Sequence, residues 1–326
     1  MPEPLPPGLV LHERYAIRQL LARGGMGSIY LAEDQRLPGR LCAVKEVEHD
    51  SALSEALHTE SREQFFREAS VLARLDHPNL PKVSDYFSEG RRDYLVMDYV
   101  PGQDLKSLVD QAAARGQRLA YTDVLEWSDQ ILDSLSYLHR QEPPVVHRDI
   151  KPSNLKLTPS GLIKLVDFGL VKTMAPDDIT VTVIQGRGTA LYTPLEQYGG
   201  DTGHTDPRTD IFSLGATLYH LFTGRPPAEA KQRFLHPEAL TPPRQLSPEL
   251  PAHVEAAVLW ALALHPDARP PDVEHLRDAL RPAESAVLQV LPEKWRRRWL
   301  AAGRLDQGLA LAAVGLLVLA MIVSFA

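Results

Sequence analysis

The chain has 326 residues and 44% hydrophobic content, enough for one large folded domain or two ordinary ones, which excludes a disordered protein. A net charge of −7 provides no basic field to attract nucleic acid. The single cysteine, Cys42, excludes an internal disulfide and any multi-cysteine zinc or iron–sulfur site, and fits a reducing compartment.

Residues 1–14 form a proline-rich segment with neither the basic start nor the apolar core of a signal peptide. From Tyr15 to about residue 100, strand-like runs dominate: "YAIRQLLA", "SIYLAED", "LCAVKEV", "KVSDYF" and "DYLVMDYV". The glycines of "LARGGMGSIY" suit either a hairpin turn or a phosphate cradle, since both need a backbone without a side chain in the way. In "REQFFREASVLARL", Phe65, Phe66, Ala69, Leu72, Ala73 and Leu75 recur at helical spacing. The reading is a small sheet with one helix.

From about residue 101 to 280, helical patterns take over. Val124, Trp127, Ile131, Leu132, Leu135 and Leu138 make one apolar stripe, and Ile211, Leu214, Leu218 and Leu221 another. "TPPRQLSPELP" reads as a proline-rich loop. No internal repeat is visible.

Residues 281–307 read as a basic juxtamembrane linker carrying Lys294, Arg296, Arg297, Arg298 and Arg304, with Trp295 and Trp299 among them. Gly308 to Ala326 is uncharged and, as a helix, about 28 Å long, which matches a membrane span; a buried core helix is the alternative. The cations precede the span, so the positive-inside rule places the preceding residues in the cytoplasm of a single-pass membrane protein without an extracellular sensor domain.

Chemistry concentrates in "VVHRDIKPSNLKL" and "LVDFGL". Asp149, Lys151 and Asn154 fall within one loop, and Asp167 follows. Phosphoryl transfer calls for these types: a carboxylate to orient a hydroxyl, an amine for phosphate charge, and an amide with a second carboxylate for a divalent metal. Lys45, in the strand "CAVKEV", would alone be an edge lysine.

Taken in order, these motifs resemble those of the eukaryotic-like serine/threonine protein kinases, in particular the membrane-anchored bacterial group, from about Tyr15 to Leu280. The resemblance implies an α+β, two-lobed protein kinase fold: an antiparallel β-lobe with one helix (15–100), a mainly helical lobe (101–280), and ATP between them. "ARGGMG" then looks like the loop over the phosphates, a hairpin as well, with Ala22, Gly24, Gly25 and Gly27; Ala22 replaces the first glycine.

By the same resemblance, Lys45 holds the α- and β-phosphates and Glu68 is its helix partner. Asp149 is the catalytic carboxylate, Lys151 contacts the transferred phosphate, and Asn154 and Asp167 bind the metal. Hard oxygen ligands suit Mg²⁺ and Mn²⁺ alike. Met97 is the gatekeeper, Asp98 to Val100 present backbone groups to adenine, and Ile29, Ala43 and Leu155 line its pocket. Asp210 braces the catalytic loop, and Arg269 pairs with Glu196. "TPLE" departs from the usual Ala-Pro-Glu, with Leu195 in the proline position. Lys151 and Thr189 imply transfer to serine or threonine.

No serine lies between Asp167 and Glu196, so Thr180 and Thr182 are the candidate autophosphorylation sites, and the resemblance implies that Arg148 receives the phosphate. The expected partners are protein substrates, the membrane, and a second copy of the chain for trans-phosphorylation, but not nucleic acid. The rival reading is a membrane-tethered pseudokinase, a binding module without chemistry.

Overall fold

The computed structural model describes residues 3–24, 27–48, 55–167, 172–173, 190–198 and 206–281. The expectations for Gly25, Thr180, Thr182 and Thr189, for the linker beyond Arg281 and for the span at 308–326 fall outside these residues. Among the described residues no helix is long and apolar enough to cross a membrane.

Strands β1 (Val10–Leu11), β2 (Tyr15–Gly24), β3 (Gly27–Asp34) and β4 (Leu41–Glu48) precede helix α1 (Glu55–Arg74), and β5 (Val83–Glu89) and β6 (Arg92–Asp98) follow it. They form one antiparallel sheet in the order β1-β2-β3-β4-β6-β5. The alternation in "GSIYLAED" turns Ser28, Tyr30, Ala32 and Asp34 of β3 to a buried face. Tyr30, Ala32, Cys42, Val44, Tyr94 and Val96 fill one core of the sheet. Ala43, Val47, Leu95 and Met97 belong to a second core with Phe65, Ala69 and Leu72 of α1, and this core continues into the helical lobe.

The sheet reaches upstream of Tyr15, where the sequence placed the domain boundary. Val10 and Leu11 pair with Ala16 and Tyr15, and Leu5 packs on the first core. The Leu5 N–H donates to Tyr30 Oη at 3.1 Å, and Tyr30 Oη donates to Glu46 Oε2 at 3.0 Å. The two ends of the sheet also meet. Tyr15 Oη donates to Asp85 Oδ2 at 2.7 Å, and the His12 and Tyr15 rings stack on Phe87 of β5 at 4.6 and 5.9 Å.

The helical lobe contains β7 (Gln103–Asp104), α2 (Leu105–Ala114), α3 (Tyr121–His139), β8 (Val145–Val146), β9 (Leu155–Leu157), β10 (Ile163–Leu165) and β11 (Lys172–Thr173). After these come α4 (Pro207–Thr223), α5 (Ala230–Leu235), α6 (Pro243–Leu246), α7 (Ala252–Ala261) and α8 (Val273–Leu280). Helix α4 starts where the Asp206 carboxylate accepts the Arg208 N–H at 2.7 Å, with Pro207 in the first turn, and is buried from Thr209 to Thr223. A Cβ on Gly215 would lie 2.7 Å from Ala261 Cβ, so glycine lets α4 approach α7 closely. The "TPPRQLSPELP" stretch contains one helical turn, α6, rather than loop throughout: proline's fixed φ suits the first turn at Pro243.

Candidate active site

Sheet register places Lys45 of β4 opposite Ile29 and Leu95, and its ammonium lies 2.5 Å from Asp167 Oδ1, two residues beyond β10. A cation of the small lobe thus meets a carboxylate of the large one. Burial alone would raise the Asp167 pKa, but the charge and hydrogen bond of Lys45, with Lys151 behind, hold it below the ordinary carboxylate value. Glu68 is buried on α1, where its Oε1 accepts from Gln64 Nε2 at 3.1 Å.

The loop between β8 and β9 gathers the second group. Lys151 Nζ donates to both Asp149 oxygens, at 2.9 and 2.7 Å, and Asn154 Nδ2 donates to Asp149 Oδ2 at 2.9 Å and to its carbonyl at 2.8 Å. The Val166 N–H donates to the Asn154 carbonyl at 2.8 Å, tying this loop to the segment that carries Asp167. Asp149, Lys151, Asn154, Asp167 and Lys45 therefore form one connected cluster.

Helix α4 fixes the loop from below. Asp210, fully buried, accepts the backbone N–H groups of His147 and Arg148 at 2.9 and 2.8 Å and pairs with His139 Nε2 at 2.9 Å. Burial would raise its pKa, but these partners hold it low; burial also holds His147 below its ordinary value. Arg148 and Asp167 have left-handed φ values of 68° and 58°, costing about 1–3 kcal/mol each for a non-glycine residue. Arg148 is pinned on both sides, because Gln197 Nε2 donates to its carbonyl at 3.2 Å. Its Nε is buried and has no hydrogen-bond partner among the described residues.

In the glycine hairpin, Ala22 pairs with Ile29 and lies outside the left-handed region, so alanine replaces glycine there without backbone strain. Gly24 is open space. Gly27 differs: at φ 134°, a Cβ would lie 1.8 Å from the Glu46 carbonyl oxygen. Met97 and Val100 are buried, Asp98 is half-buried, and Ala43 pairs with Met97. Leu155, expected to line the adenine pocket, has no exposed surface and packs in the large core. The next residue of β9, Lys156, reaches the segment after β6: its Nζ donates to the Val100 carbonyl at 2.8 Å. Strand alternation in "LKL" was the signal for Lys156, since Leu155 turned inward leaves its neighbour facing the other way.

The expected brace is present. The Arg269 guanidinium is fully buried, forms a bidentate pair with Glu196 at 2.6 and 3.0 Å, and donates also to the carbonyls of Ala263, Leu264 and Arg208. Glu196 thus holds its place despite "TPLE".

The donor set fits a nucleotide with a divalent metal. Asn154 spends its amide nitrogen on Asp149, which leaves its oxygen as the atom for a metal, and Asp167 adds a carboxylate. Two such ligands suit Mg²⁺, which keeps waters and substrate phosphates around it. The tight approach at Gly27 and the ammonium of Lys45 supply backbone and charge for phosphate.

Residues 15–256 match the protein kinase domain family. A probable serine/threonine-protein kinase of Streptomyces coelicolor is 37% identical over 277 residues, 81% of this chain and 39% of the relative. The serine/threonine-protein kinase PknA of Mycobacterium tuberculosis is 34% identical over 275 residues, 80% of this chain and 59% of the relative. The chain thus spans less than two thirds of the length of these curated relatives. The crystal structure of the M. tuberculosis PknI kinase domain superposes with a TM-score of 0.64 at 28% identity, covering 85% of this chain and 98% of that one. Nothing here favours the pseudokinase alternative: Lys45, Asp149, Asn154 and Asp167 are all present and clustered.

Proposed function

The chain belongs to the protein kinase domain family, which uses ATP and a divalent metal, and from that premise we propose that it transfers phosphate from Mg·ATP to serine or threonine hydroxyls of proteins. The observation that carries this reading is the convergence of Lys45 and Asp167 with the Asp149–Lys151–Asn154 cluster. Bound Mg·ATP would supply the transferable phosphoryl group and the metal's charge. Lys45 would hold the α- and β-phosphates, the hairpin at Gly24 and Gly27 would cover them, and Asn154 and Asp167 would hold the metal. Asp149 would accept the substrate's O–H and orient it; Lys151, already on that carboxylate, would balance charge on the transferred group. Phosphate transfer by the full chain, beside an Asp149→Asn control, with sites read by mass spectrometry, tests this; transfer equal in both would refute it.

Two extensions belong to the same reading. The buried Nε of Arg148, without a hydrogen-bond partner among the described residues, supports a phosphothreonine at Thr180 or Thr182 as the activating modification, and phosphopeptide mapping of active protein tests it. The uncharged run at 308–326 after a cationic flank supports a membrane anchor that concentrates copies for mutual phosphorylation and places the kinase in membrane-proximal signalling. Resistance of the full chain to alkaline extraction from membranes, lost on deleting 308–326, is the expected result.

A further inference from the structure

Beside the catalytic cluster, on the helical lobe, is a cavity of about 450 Å³. Lys151 belongs to both: its ammonium sits on the Asp149 carboxylate, and its side chain walls the cavity. A chain bound in extended form with its hydroxyl at Asp149 advances about 3.3 Å per residue, so a side chain one or two positions from the acceptor reaches this space.

The walls state what fits. At the back, Tyr192 and His220 are 7% and 5% exposed and bonded to each other, Tyr192 Oη to His220 Nδ1 at 2.7 Å. Burial pushes His220 down to about 4 and Tyr192 up, so both are uncharged at neutral pH. Leu191 and Pro226 add apolar sides. The charges are already matched: Lys106 pairs with Asp110 at 2.7 Å on the rim, and Lys151 with Asp149. A charged guest would have to break one of these pairs or be desolvated against a neutral wall, whereas an apolar guest covers apolar surface without either loss.

We propose that this cavity is a specificity subsite that takes an uncharged, apolar side chain of the protein substrate, one or two residues from the phosphorylated hydroxyl. The proposal rests on the kinase reading above and adds the substrate class.

The test is a positional-scanning library of serine and threonine peptides, offered to the full chain with Mg·ATP. At one position within two residues of the acceptor, Leu, Ile, Met or Phe should be preferred over Asp, Glu, Lys and Arg by about tenfold. His220→Glu would set a carboxylate in the back wall and should turn that one preference toward Lys and Arg. Leu191→Arg, at a half-buried position that is easier to substitute, should turn it toward Asp and Glu. A flat profile, a charged preference in the wild-type protein, or variants that change overall rate but not this position would overturn the proposal. Absence of transfer to every peptide would count against the kinase reading instead. The cavity is then read by fluorescence anisotropy with labelled apolar and charged versions of one peptide, and equal binding of the two overturns the subsite.

Discussion

The ammonium of Lys45 and the carboxylate of Asp167 lie 2.5 Å apart, one on a strand of the small lobe and the other on the segment that follows β10 in the large lobe. Lys45→Met removes the cation at this junction. Initial rates of phosphate transfer should fall by at least about 10²-fold, and nucleotide binding should weaken. Asp149→Asn should cost about 10²–10⁴-fold in rate with far-UV circular dichroism unchanged.

Two glycines of the hairpin should answer differently to alanine. Gly24→Ala meets no protein atom within 4 Å and should leave the melting temperature near wild type. Gly27→Ala drives a Cβ into the Glu46 carbonyl at a left-handed φ, so β3 and β4 must separate there. Thermal denaturation should show a lowered melting temperature for Gly27→Ala alone, and isothermal titration should show that this variant binds a nucleotide more weakly.

Asp210→Asn keeps the shape but replaces one acceptor oxygen by a donor, facing the N–H groups of His147 and Arg148. A loss of about 2–4 kcal/mol is expected in denaturant titration at neutral pH. The Asp210 pKa is lower in the folded chain than in the unfolded one, so its contribution is complete above the ordinary carboxylate value of 3.8 and disappears as pH falls through the folded value. The gap between wild type and variant should therefore narrow in strong acid.

Arg269→Met would strand the half-buried Glu196 carboxylate and the three carbonyls that the guanidinium serves. A destabilisation of about 3–5 kcal/mol follows. Arg269→Lys should recover little of it, because an ammonium cannot reproduce the planar fork. Thermal denaturation of both variants checks this.

His220 makes stability fall on mild acidification. Its folded value of about 4 lies below the ordinary 6.5, so the unfolded chain takes up a proton that the folded chain refuses. From pH 6.5 to 4 this amounts to about 3 kcal/mol, and buried His147 acts in the same direction. His220→Asn should give a flatter stability curve across that interval in urea titrations, whatever its effect at pH 7.

Residues whose chemistry depends on type and spacing were legible from the chain alone. Asp149, Lys151, Asn154 and Asp167 come together as their motifs imply, as do Asp210 with the catalytic loop and Arg269 with Glu196. The long apolar stripes of α3 and α4 are buried as helical periodicity requires, with Trp127 alone among the named residues half-buried. What escaped depends on contacts distant in sequence or on very short elements. Strand β1 has two residues, and its proline-rich surroundings hid it. Proline, taken as a breaker, began the turn of α6. Alternation in "LKL" turns Lys156 away from Leu155, but its partner is the Val100 carbonyl 56 positions away, which no local pattern names. The stacking of His12 on Phe87 follows from sheet curvature that no local pattern encodes.

The run from the Leu5 N–H through the Tyr30 hydroxyl to Glu46 ends one residue beyond Lys45. Cutting the chain back to residue 15, where the family match begins, would strip β1 and leave the outer core of the sheet without Leu5 and Leu11. A truncation at this end is consequently a perturbation of the strand that carries Lys45, felt through one tyrosine.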